Sequence, residues 1–259
     1  MPNFKHIYET ASAEQPVYMI SSHFADTPLT INKILPPQSA ICVQPVFDLQ
    51  FVIDKQGMDT FVDMFQEVWD EKTEKAKSNF VSILTDIYNT TEEYFGGRGV
   101  EIARREIYLN AKDGKVRLSE IQGRRVGICA ERATLAHQMI SILEKAGLIN
   151  YESVLTNTHI TTSKKEPHSL ILLKNKKDPS KIFLFDIENP LQYQKGDNPR
   201  LATGVALYPL TEAQYRDFMD GKAISPQSIY EQAGMQVFGE QRFYGESEVV
   251  SADSGCDLC

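Results

Sequence analysis

The chain is poor in cysteine. Its 259 residues include four, Cys42, Cys129, Cys256 and Cys259, too few and too unevenly spaced for a disulfide scaffold, which a core of this size does not need. A reducing compartment is the expectation. The chain also lacks any compact basic run: 27 Lys and Arg stand against 35 Asp and Glu, a net charge of −8. That balance weighs against nucleic acid as a partner, because neutralising phosphates needs a basic face. No window approaches the ~18 apolar residues of a membrane span, and the first twenty residues lack the apolar stretch of a signal peptide. Internal repeats and low-complexity tracts are absent too. What remains is a globular composition, 42% hydrophobic and 24% charged, on a length suited to one large domain or two small ones.

Residues 1–38 mix polar and apolar positions around Pro16, Pro28, Pro36 and Pro37 and read as irregular, with room for a short strand. From Ile41 to Ile53 the apolar residues alternate, which predicts one long strand or two meeting at Pro45. Beyond Gly57 the period becomes helical: Phe61, Val62, Phe65, Val68 and Trp69, then Phe80, Ile83, Leu84 and Ile87, with a stop at Gly96-Gly97. A short helix over Val100–Leu109 and a polar turn over 111–115 follow. The next helix, Glu131–Ala146, carries an apolar stripe of Ala133, Ala136, Ile140 and Leu143, with Gly147 after it. Strands are expected at 153–161, 168–173 and 182–187, then a helix near 211–220 opened by the capping box Thr211-x-x-Gln214.

Cys129 stands immediately before the 131–146 helix. A thiol attacks as thiolate, and a helix N-terminus or a neighbouring cation lowers a cysteine pKa from its usual value of about 8.5. Gly127 allows close backbone approach there, and Arg124 and Arg125 add positive charge. An isolated cysteine is ordinarily a small buried residue; its partners decide the matter here. His6 and His23 have no matching partner pattern. His137 lies eight residues along the same helix, roughly 12 Å away at a rise of ~1.5 Å per residue, and cannot touch the thiol. His159 has no carboxylate placed to orient it. His168 opens an apolar run that a polar loop joins to Ile182-Phe183-Leu184-Phe185-Asp186. An antiparallel hairpin centred on residue 177 sets His168 directly opposite Asp186, the arrangement by which a carboxylate fixes an imidazole tautomer. The alternative is two polar strand ends at the surface.

The segments Gly127-x-Cys129-x-Glu131-x-Ala133, Pro167-His168 and Phe185-Asp186 together resemble the transglutaminase-like superfamily over roughly residues 120–190. The resemblance implies an α+β fold with a papain-like core: a nucleophile at the N-terminus of a helix packed on an antiparallel sheet. It also implies a Cys129, His168 and Asp186 triad without cofactor or metal. Ser169 and Ala130 stand where that superfamily often has aromatics. The arylamine N-acetyltransferases share the core, but this chain has Arg125-Val126-Gly127 where they have Arg-Gly-Gly, and Ile187-Glu188-Asn189-Pro190 where they have a glycine-rich segment.

The implied chemistry is acyl transfer on a protein substrate, as glutamine deamidase, transglutaminase or amide-bond peptidase, and the acidic balance favours a substrate with a basic surface. Gln122 and Gln44 are candidate oxyanion donors beside the Cys129 N–H, the alternative being ordinary surface glutamines. Glu131 is expected to set the helix start or to pair with Arg125. Two other readings stay open: a small-molecule thioester acyltransferase, and an inactive scaffold docking through the Met58–Phe95 helices. The expected organisation is an N-terminal strand and helical region over 1–110, a catalytic core over 111–238 and a loose polar tail over 239–259. Cys256-Asp257-Leu258-Cys259 has C-x-x-C spacing and the outline of a prenylation box, but it lacks two further zinc ligands and carries Asp where an aliphatic is expected. The acidic tail also resembles those of bacterial effectors exported through a C-terminal signal, so the expected location is the cytoplasm or, after export, a host cytosol.

Overall fold

The computed structural model describes residues 2–12, 15–20, 30–44, 49–97, 99, 101–111, 113–159, 167–195, 198–220, 222 and 229. His23, the 239–259 tail, Cys256 and Cys259 lie outside the described residues. The architecture is mixed α+β, with helices packed on an antiparallel sheet.

The N-terminal segment expected to be irregular forms α1 (Phe4–Ala11), capped by Asn3, whose side chain accepts from the His6 N–H at 2.9 Å. Phe4 and Tyr8 both point inward, and Phe4 meets the ring of Trp69 edge-on. Trp69 belongs to α2 (Lys55–Asp70), which Asp54 caps. The turn α3 (Glu74–Lys77) leads to α4 (Phe80–Phe95), which ends at Gly96 with φ 75°. That left-handed stop follows from the absence of a Cβ. Then comes α5 (Glu101–Leu109).

Two sheets form. The first is mixed, in the order β1 (Tyr18–Ile20), β3 (Ser39–Gln44), β4 (Leu49–Ile53) and β5 (Lys115–Arg117). Its β3–β4 hairpin is the alternating segment predicted from Ile41 onward, divided in two. The second is antiparallel throughout: β2 (Thr30–Ile31), β6 (Tyr151–His159), β7 (Pro167–Asn175), β8 (Ile182–Lys195) and β9 (Asn198–Pro209). Helix α7 (Glu212–Met219) follows, with the Thr211–Gln214 capping box in place.

Helix α6 (Cys129–Lys145) packs on β6, β7 and β8 of the second sheet and also against α1 and α4. Every residue from Glu131 to Leu143 is buried. The single apolar stripe expected for this helix is therefore incomplete as a description, because neighbours cover it on all sides. Its buried polar residues find partners on neighbouring elements: Gln138 accepts from Leu35 N–H at 2.7 Å, and Ser141 meets Ser153 of β6 at 3.2 Å. Among the described residues, no helix is long and apolar enough to cross a membrane.

Candidate active site

Cys129 is the first residue of α6 and is half-buried. The segment leading to it is tied to the end of α4: Gly123 N–H donates to the Tyr94 carbonyl at 2.8 Å and Arg125 N–H to the Phe95 carbonyl at 2.7 Å. At Gly127 a Cβ would come within 2.6 Å of the Phe95 ring, so the close approach expected there is what the position requires. The first hydrogen bond within α6 runs from Arg132 N–H to the Ile128 carbonyl. The N–H groups of Cys129, Ala130 and Glu131 therefore project from the helix end, where the helix dipole favours negative charge.

Glu131 does set the helix start, accepting from Ile128 N–H at 3.3 Å through Oε2. Its charge partner, however, is Arg104 of α5, whose Nε donates to Oε1 at 3.0 Å, in place of the expected Arg125. Tyr108 donates its hydroxyl to the same Oε1 at 2.6 Å. Burial, then the adjacent carboxylate, hold the Tyr108 hydroxyl well above its usual pKa, so it stays a donor.

The sheet supplies the other two groups. His168 on β7 and Asp186 on β8 are both buried, and His168 Nε2 lies 2.9 Å from Asp186 Oδ2. A carboxylate only accepts, so Nε2 carries the proton and Nδ1 is the nitrogen left to face the thiol. The hairpin register differs from the expected one: Ile171 pairs with Phe185 and Lys174 with Ile182, so the hairpin is centred on 178 and Asp186 lies diagonal to His168. The loop explains the shift, since Asn175 Oδ1 accepts from the N–H groups of both Lys177 and Asp178 and the turn holds two residues more than expected. Parity is preserved, so the two side chains stay on one face and meet across the diagonal. Asp186 Oδ1 is held in turn by the Glu188 N–H at 3.1 Å.

Burial alone would lower the His168 pKa. The Asp186 carboxylate and a hydrogen bond with the Cys129 thiol outweigh it and hold the imidazole well above its ordinary value. Cys129, His168 and Asp186 are thus brought together. Gln122 is exposed on the turn 122–125, and Gln44 ends β3 with its side chain outside the described residues. His137 sits fully buried on α6, with Nε2 3.4 Å from the Ser153 carbonyl, away from the triad; burial lowers its pKa to about 4.

Two residues escaped the sequence reading. Arg132, 1% exposed, donates from Nε to the Gly127 carbonyl at 2.8 Å and from Nη2 to the Gly97 carbonyl at 2.6 Å, and pairs with Glu92. Its Nε also lies 3.1 Å from Glu188 Oε2. Helical and strand spacing carried the signal: Arg132 is one turn after Cys129, and Glu188 lies two positions after Asp186. Among the described residues, no cluster of three or more His, Cys, Asp or Glu could hold a metal ion. Comparison with protein-family profiles, curated proteins and solved structures found no match.

Proposed function

We propose that this chain is a cysteine-dependent acyl-transfer enzyme with a transglutaminase-like, papain-like core, acting on glutamine side chains or amide bonds of a protein. The observation that carries the reading is the chain of contacts from half-buried Cys129 to buried His168 and Asp186, with the thiol at a helix N-terminus. These three groups supply a nucleophile, a base and an orienting carboxylate.

In the first step Cys129 Sγ bonds to the amide carbonyl carbon while its proton passes to His168. The Cys129 N–H at the start of α6 faces the developing oxyanion. The imidazolium then protonates the departing nitrogen as the C–N bond breaks, leaving a thioester and neutral His168. Water attacks the thioester, giving its proton to His168; the C–S bond breaks and the thiol is re-formed. Glutamine becomes glutamate with release of ammonia, or a peptide bond is cut. An amine in place of water gives a cross-link.

A purely scaffolding role has less support. The apolar stripes of α2 and α4, its expected docking surface, are spent inside: Met58, Phe61, Phe65, Ile83, Leu84 and Ile87 are all buried. The test is mass spectrometry of a lysate treated with the wild-type chain or Cys129→Ala. The expected outcome is glutamate at former glutamines, amine adducts or new chain termini in the wild-type sample alone. Identical peptide maps from the two samples would remove the enzyme reading.

A further inference from the structure

Charged and polar groups surround the start of α6 from five elements: buried Arg104 and Tyr108 on α5, half-buried Glu92 on α4, buried Glu131 and Arg132 on α6, His168 on β7, and Asp186 and Glu188 on β8. The Arg132–Glu188 contact among them lies outside the triad and yet closes it into a circuit. Cys129 is hydrogen-bonded to His168, and His168 to Asp186. Asp186 accepts from the Glu188 N–H, Glu188 faces Arg132, and Arg132 donates to the carbonyl of Gly127, two residues before Cys129.

A buried ion pair seldom adds stability over apolar packing of the same volume. What a guanidinium offers is geometry, five N–H donors in fixed directions. Here they reach the Gly127 and Gly97 carbonyls and the Glu92 carboxylate, with Glu188 beside Nε. Nε–H is aimed at Gly127, so Arg132 and Glu188 are joined by charge and contact.

We propose that Arg132 and Glu188 are positioning residues whose ion pair fixes the start of α6 against β8 and so keeps the Cys129 thiol within reach of His168. The proposal rests on the reading of Cys129 as the nucleophile. Neither residue touches reacting atoms; both act through the backbone on either side of the triad.

The test is the rate of Cys129 alkylation by iodoacetamide in the full folded chain between about pH 5.5 and 10, for wild type, Glu188→Gln and Glu188→Asp. In wild type, the contact with His168 speeds alkylation of Cys129 on the acid limb of the profile, near pH 6. In Glu188→Gln that limb falls about tenfold, while the rate near pH 10 stays within about twofold. Glu188→Asp, which keeps the charge, recovers part of the loss. A merely structural role would change accessibility and move both limbs together. The proposal is overturned if folded Glu188→Gln keeps the wild-type rate near pH 6, or if both limbs change alike. Should Glu188→Gln fail to fold, Glu188→Asp carries the test: a selective partial loss at the acid limb supports the proposal, and an unchanged profile overturns it. A wild-type profile without the acid limb removes the nucleophile reading, and the positioning role falls with it, an outcome distinct from failure in the variants alone.

Discussion

Each group of the triad is set by a different local device. The start of α6 gives Cys129 projecting N–H groups and a favourable dipole. Burial opposes charge on His168, and the adjacent Asp186 carboxylate outweighs it and gives the imidazole its raised pKa. The Glu188 N–H orients Asp186. Asp186→Asn keeps the size of the side chain but removes the charge that stabilises the imidazolium and fixes its tautomer, so activity on an identified substrate should fall by about 10²–10⁴-fold with little change in substrate binding. Steady-state rates of the two proteins check this; an unimpaired variant would leave Asp186 without its role. Glu131 makes a second residue-scale prediction. Glu131→Ala leaves Arg104 buried without its carboxylate, at a cost of about 3–5 kcal/mol in unfolding free energy, measurable by denaturant titration.

The elements show what is legible in a sequence and what is not. Helices α2, α4 and α5, the split strand β3–β4 and the Thr211–Gln214 cap follow from period, Gly96 and capping chemistry. So does the placement of Cys129 at a helix start. The register of β7 and β8 does not, because it is set by two hydrogen bonds to Asn175 Oδ1 inside the loop, while the apolar pattern fixes only which face each residue takes. Helix α1 carried a signal in its Asn3 cap and its Phe4 and Tyr8 spacing, obscured by the prolines that follow. The burial of α6 on every face from Glu131 to Leu143 is invisible to periodicity, which reports one face and says nothing of what covers the other. The same element scale supplies a test of the loop that delivers the thiol. In Gly127→Ala the new methyl meets the Phe95 ring at 2.6 Å, so the chain must shift where it enters α6. A loss of about 1–3 kcal/mol in stability is expected, together with slower Cys129 alkylation. Wild-type values for both would show that Gly127 is dispensable.

At the scale of the whole molecule, a continuous core runs from Phe4 in α1 through α2, α4 and α6 to Phe185 and Ile187 in β8, so the helix that Cys129 begins and the strand bearing Asp186 share one packed interior. His137 lies within that interior and couples folding to pH. Its folded pKa is about 4, below the unfolded value of about 6.5. The unfolded chain therefore binds the proton first as pH drops, and the stability that neutral His137 contributes above about pH 6.5 is lost as pH falls towards 4, by about 3 kcal/mol. His168 has the opposite sign: its raised pKa contributes stability below about pH 6.5 that is lost only as pH rises through the folded value. Unfolding free energies between pH 7 and 4 should thus fall less steeply in His137→Gln than in wild type; equal slopes would remove His137 as the cause.

The claim on which the account rests is that Cys129 is an activated thiol because His168 and Asp186 stand beside it. Competition labelling with limiting iodoacetamide near pH 6, read peptide by peptide, tests it most directly. Cys129 should be alkylated well ahead of Cys42, Cys256 and Cys259, and His168→Gln should abolish that lead. Four cysteines reacting alike at pH 6, or a lead that survives His168→Gln, would contradict it.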